Sequence, residues 1–194
     1  ALRKNKSARY FYFQQLKQLP DLQKGKTYGD LSLEFNRVIK EKDLDNPILG
    51  WQKMLEYYSY LDQGWWKKAR ECLSAFQSIK SLDRGMQYTI QLEELFLSIV
   101  FKDDQEEIEM RYQKIKGFIS RKHGDIDLIR VHLAYKIYRD SQVLTYDRRI
   151  KKQEEYRKEM NRRSRNYLYP GKAEFSMKML QIVFDQYFCY TVAG

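Results

Sequence analysis

Apolar side chains recur every third or fourth residue along nearly the whole of this chain, and no stretch alternates apolar and polar residues between turn signals. That spacing gathers side chains on one face of an α-helix, whereas a half-buried strand needs a spacing of two. Residues that break helices are few: 9 Gly and 3 Pro in 194 residues. Sandwiches and doubly wound sheets need turn chemistry far more often than that. With 43% hydrophobic and 15% aromatic residues, the chain can bury a core. The sequence therefore predicts an all-α fold of about seven to nine helices.

Read along the chain, Tyr10, Phe13, Leu16 and Leu19 mark a helix over 7–19 that Pro20 ends. Residues 24–44 are the most loop-like, with Leu31, Phe35, Val38 and Ile39 able to carry a short helix. Asn46-Pro47 is a helix start, with Asn as the cap and Pro at the first position. That helix runs through Met54, Tyr58 and Leu61 to a turn at Asp62-Gln63-Gly64. Further helices are expected over 65–81, 86–101, 105–121 and 125–138. After a break at 139–142, a long polar helix spans 143–165, and a last one spans 172–190.

Breaks at Gly64, Asp103 and near Asp140 give a period of about 37 to 39 residues, the mark of an α-solenoid. Tyr60, Gly64, Trp66, Ala69 and Leu73 fall where a tetratricopeptide repeat carries an aromatic, a glycine, an aromatic, a small and a bulky residue. Glycine permits the tight turn, and alanine lets the two helices approach closely. Lys53 and Glu56 depart from the pattern, and in the second hairpin Ile108 replaces the small residue. The chain thus resembles a tetratricopeptide-like α-solenoid of stacked antiparallel helix pairs. On this reading 1–45 form a basic segment with an N-terminal helix, and 46–194 form one helical-repeat domain.

The net charge of +10 is unevenly placed. Residues 1–26 carry seven Lys/Arg against one Asp, and residues 142–172 carry ten against four acids. Such blocks favour acidic surfaces as partners. An anionic membrane surface suits the first block, with Arg3, Lys4, Lys6 and Arg9 as contacts. In the second, Tyr146, Tyr156, Tyr167 and Tyr169 interleave with basic residues in the manner of a nucleic-acid contact. Glu154, Glu155 and Glu159 stand at helical spacing to the same basic residues, which reads instead as a solvated helix face.

The basic start has no apolar stretch after it and is not a signal peptide, and the missing initial methionine suggests an excised piece. No run reaches the roughly 18 apolar residues of a membrane span. Cys72 and Cys189 suit two reduced thiols of a cytosolic compartment better than a disulfide framework.

Reaction chemistry is sparse. His123 and His132 belong to no His-Glu-x-x-His or Cys-x-x-Cys set. On its apolar helix His132 is expected to be a hydrogen-bonded interior residue. Asp103, Asp104, Glu106, Glu107 and Glu109 sit at a helix start, where acidic residues complement the helix dipole. No Gly-rich phosphate loop and no Gly-x-Ser-x-Gly elbow occur. The expectation is a chain with no catalytic, metal or cofactor-binding residues of its own.

Several segments together are similar to the cytosolic C-terminal region of bacterial site-2-protease-like membrane zinc metallopeptidases. They are the basic opening 1–11, Asn46 to Leu61, Gln91 to Leu97, Ile129 to Tyr135 and Tyr169 to Glu174, in that order. The resemblance implies a non-catalytic accessory domain on the cytoplasmic side of the membrane that recruits or regulates substrate. That family's zinc ligands and catalytic glutamate would lie upstream, and no residue here takes those roles. A peptide-sensing repeat domain of a cytosolic transcriptional regulator and a nucleic-acid-binding helical repeat are the alternative readings.

In tetratricopeptide-like arrays the first helix of each pair lines the concave face. With Gly64 and Asp103 as equivalent turns, that register puts Trp51, Met54 and Tyr58 on the face, then Glu93, Glu94 and Leu97, then Arg130. A protein or peptide ligand is the expected occupant. The competing reading makes Trp51 and Tyr58 core and pairs Glu94 with Arg130 across adjacent helices.

Overall fold

The computed structural model describes residues 27–38, 46–79, 82, 84–119, 125–164 and 170–189. The helix expected over 7–19, the contacts Arg3, Lys4, Lys6 and Arg9, and His123 lie outside the described residues. Within them the fold is all-α, as the periodicity implies: eight α-helices and no strand. The described residues fall into two compact units, one up to Ile90 and the other from Gln91.

In the first unit, α1 (Tyr28–Val38) packs on α2 (Asn46–Asp62), and α2 packs on α3 (Trp66–Ser74). The loop-like stretch is therefore a helix over most of its middle. Its start is a reciprocal cap: the Thr27 hydroxyl accepts from Asp30 N–H at 3.2 Å, and the Asp30 carboxylate accepts from Thr27 N–H at 2.8 Å. At the far end of α2, Gly64 takes φ +74°, which lets Trp65 N–H reach the Tyr60 carbonyl at 2.8 Å and Gly64 N–H the Leu61 carbonyl at 3.0 Å. That pair of bonds closes a helix on a left-handed residue, the role foreseen for this glycine. Ala69 is fully buried at the α2–α3 contact, consistent with the need for close approach.

α3 ends earlier than expected, at Ser74, and continues as a 3-10 turn over Ala75–Ser78. The Ser74 hydroxyl donates to the Arg70 carbonyl at 3.0 Å, a back-bond that loosens the last helical turn. Cys72 is a buried free thiol that donates to the Lys53 carbonyl, and burial pushes its pKa up to about 11.

α4 (Arg84–Phe101) crosses the boundary between the units. It closes as α2 does, but on a non-glycine residue. Lys102 sits at φ +57°, with Asp103 N–H on the Ser98 carbonyl at 3.0 Å and Lys102 N–H on the Ile99 carbonyl at 3.2 Å.

The second unit adds α5 (Gln105–Ile119), α6 (Ile126–Val143), α7 (Tyr146–Ser164) and α8 (Pro170–Phe184), the last continuing as a π-turn over Asp185–Cys189. Helix α6 packs against α5, α7 and α8. It buries Ile126, Ile129, Val131, Ala134, Ile137 and others around most of its circumference, the pattern of a helix with neighbours on all sides. Asp125 caps it, accepting from Asp127 N–H at 3.1 Å and Leu128 N–H at 3.3 Å.

The break expected at 139–142 is instead helix, and α6 runs on to Val143. Charged residues there suggested a loop, but Arg139 donates to the Tyr135 hydroxyl at 3.0 Å, and Asp140 accepts from the Tyr156 hydroxyl at 2.6 Å. No Gly or Pro interrupts the stretch. The freed carbonyls at the end of α6 are taken by Arg149, which donates to Ser141 at 2.6 Å and to Leu144 at 2.9 Å.

Candidate functional site

α7 is short of apolar residues: Tyr156 and Met160 are its buried side chains. It cannot seal the apolar flank of α6 that faces it. Between the two helices lies a cleft of about 410 Å³. Leu128, Ile129 and Leu133 form its floor, and long charged side chains form its rim. From α6 come His132, Lys136 and Asp140, which with Leu128 make a file at every fourth residue. From α7 come Lys152, Glu155, Tyr156, Glu159 and Arg163. The Tyr156–Asp140 bond and the Arg149 contacts pin the two helices near their connection.

Most rim charges are already matched. Lys152 meets Glu155 at 2.5 Å, and Arg163 meets Glu159 at 2.5 Å. These pairs join acids and basic residues of this helix at spacings of three and four. Lys136 differs: its ammonium lies over the Tyr156 ring, 5.5 Å from the centroid, and it has no ion pair among the described residues. The cleft thus offers an apolar floor beside Lys136, which makes no ion pair among the described residues.

His132 is a half-buried wall residue, hydrogen-bonded as expected. Its Nδ1 shares a bond with the Tyr112 hydroxyl at 3.1 Å. Burial, then the nearby Lys136 and Arg163, hold its pKa down to about 4, so the ring is neutral near pH 7. Behind it Tyr112 stacks on Tyr135 with centroids 3.5 Å apart, and the Tyr135 hydroxyl donates to Glu109. That hydrogen bond comes first among the causes that lower the Glu109 pKa. Burial and the same carboxylate raise the Tyr135 pKa to about 12.

The residues expected on a concave binding face go elsewhere. Met54 and Tyr58 are buried in the first unit, with Tyr58 stacked 5.1 Å from Tyr28, and Trp51 is half-buried. In the second unit Leu97 is buried. Glu93 and Arg130, each with 0% of its side chain exposed, pair at 2.5 Å over the Phe96 face. Met54, Tyr58, Glu93, Leu97 and Arg130 are therefore buried side chains. Glu94, the partner expected for Arg130, instead meets Arg111 of α5 at 2.8 Å. One residue turns the side chain by 100° about the helix axis, so α4 sends adjacent glutamates to different helices.

The cleft was missed because its two walls come from segments read separately. The signal lay in Leu128, His132, Lys136 and Asp140 at a spacing of four, facing Lys152, Tyr156, Glu159 and Arg163 at a similar spacing.

Among the described residues no three His, Cys, Asp or Glu side chains gather as a metal site, and no helix is long and apolar enough to cross a membrane. Comparison with protein-family models, with curated proteins and with solved structures yields no match.

Proposed function

We propose that this chain is a non-catalytic helical protein-interaction domain whose α6–α7 cleft takes a peptide segment of a partner or substrate protein. One observation carries the reading. An apolar floor of Leu128, Ile129 and Leu133 lies beside Lys136, an ammonium held over an aromatic ring and unmatched by a carboxylate among the described residues. A segment bearing an apolar side chain next to an aspartate, a glutamate or a C-terminal carboxylate satisfies both features at once. The paired side chains on the rim keep charges of other placements from gaining much, which gives selectivity rather than bulk attraction.

The resemblance of the five segments to the cytosolic region of site-2-protease-like metallopeptidases supports a finer version. In it the domain is a helical repeat of tetratricopeptide type that sits on the cytoplasmic side of the membrane and presents substrate to, or withholds it from, a protease. The similar closing turns at Gly64 and Lys102 favour the repeat.

Selection of a displayed random-peptide library on the full chain tests the binding claim. Enriched sequences are expected to pair an acidic residue with an adjacent Leu, Ile or Phe, and to lose at least about tenfold in affinity against Lys136→Gln. Enrichment that is the same on the Lys136→Gln chain refutes the cleft as the site.

A further inference from the structure

A second surface points to a different partner. The α2–α3 turn projects from the first unit: Gln63, Gly64 and Trp65 are all exposed, and a Cβ built on Gly64 would meet nothing within 4 Å. Trp65 is 47% exposed and is the largest exposed apolar side chain among the described residues. Tyr60 stands 6.1 Å from it, and Trp66 follows it half-buried. Lys67 and Lys68 are exposed and make no ion pair among the described residues, and the Lys68 ammonium lies 4.2 Å over the Trp65 ring. The turn thus presents, side by side, an open indole ring and two lysines that make no ion pair among the described residues.

We propose that this hairpin tip contacts the interfacial zone of an anionic lipid bilayer, with the Trp65 ring among the headgroups and Lys67 and Lys68 on their phosphates. Indole and phenol rings with one apolar and one polar side settle at that depth, and basic residues beside them add attraction to anionic lipid. A nucleic-acid strand is held by several stacked bases, whereas this turn offers one exposed ring, Trp65, with Tyr60 and Trp66 half-buried. The proposal is independent of the α6–α7 cleft and assigns the membrane a contact within the described fold.

The test uses the full chain with vesicles of phosphatidylcholine alone and of phosphatidylcholine with about a quarter phosphatidylglycerol. With the anionic vesicles, tryptophan emission is expected to shift to the blue and to be quenched by brominated acyl chains, both effects being lost in Trp65→Ala. Partitioning of Lys67→Ser/Lys68→Ser should fall roughly 30-fold at low ionic strength, and salt should weaken binding of the unsubstituted chain. The exposed positions leave the helical circular dichroism signal unchanged, so a loss reads binding rather than folding. Undiminished vesicle binding in both variants overturns the proposal, as does binding lost only when Arg3, Lys4, Lys6 and Arg9 become Ser. A Trp65 emission change with single-stranded DNA and none with the anionic vesicles would also overturn it, in favour of nucleic acid.

Discussion

Replacing Arg130 by Met tests whether the buried ion pair in the second unit acts as a matched pair. The Arg130 guanidinium lies 2.5 Å from Glu93 and 3.9 Å from Asp127, and neither it nor the Glu93 side chain has any exposed surface. Methionine retains much of the stem that packs on Phe96, so the cavity contribution is small. What remains is a carboxylate deep in the protein without its guanidinium. Breaking such a pair from one side costs about 3–5 kcal/mol, because the surviving charge stays desolvated. Removing both charges, as Glu93→Leu/Arg130→Met, should come within about 1 kcal/mol of the unsubstituted protein. Asp127 keeps its second partner, Lys172, in both variants. Urea denaturation at pH 7, with matching slopes, reads the four stabilities of the unsubstituted chain, Arg130→Met, Glu93→Leu and the double variant. A single Arg130→Met change costing under about 1 kcal/mol, or a double change costing as much as the two singles summed, would refute the reasoning.

Other expectations follow from single residues. Gly64→Ala puts a side chain at φ +74° with no clash to relieve, and should cost about 1 kcal/mol of stability in a denaturant melt. Lys102→Gly relieves the same strain at φ +57° and should gain about 0.5–1 kcal/mol by the same measurement. Because His132 is held near pKa 4, below its ordinary 6.5, its contribution to stability is complete above pH 6.5 and is lost as pH falls toward 4. Discounted for its partial exposure, that loss is up to about 2 kcal/mol, and His132→Gln should flatten the stability profile in this window. Tyr156→Phe removes the bond to Asp140 and should cost about 1 kcal/mol, read from the thermal midpoint.

The helices were legible because their signals are local. Spacing of three and four marked α2, α4 and α5 to within a few residues, and Gly64 announced its turn through the one backbone conformation that only glycine takes freely. What escaped was tertiary in origin. Lys102 closes α4 in the same conformation without glycine, held there by contacts that outweigh its local preference. Residues 139–142 looked like a loop because they are charged, and they stay helical because Tyr135 and Tyr156 satisfy them. The start of α1 was carried by a Thr27–Asp30 pair, a variant of the capping pattern with Asp in place of Glu.

The candidate site shows the same limit more sharply. Glu93, Leu97 and Arg130 were expected on an open binding face and are buried, because a helical register cannot say whether a face meets a ligand or the core. Burial decides it, and burial depends on α6 being surrounded by three other helices. The cleft exists for the complementary reason. α7 is too polar to cover the α6 flank it faces, a fact visible in composition only once the two helices are known to be neighbours.

The most direct test of the peptide-docking claim is amide shift mapping by nuclear magnetic resonance, with the isotope-labelled full chain titrated with the tightest peptide selected from the library. The account predicts that shifts concentrate on 128–140 of α6 and 152–163 of α7 and disappear with Lys136→Gln. Shifts centred instead on Trp51 and the half-buried side of α2, with α6 and α7 unmoved, would contradict it.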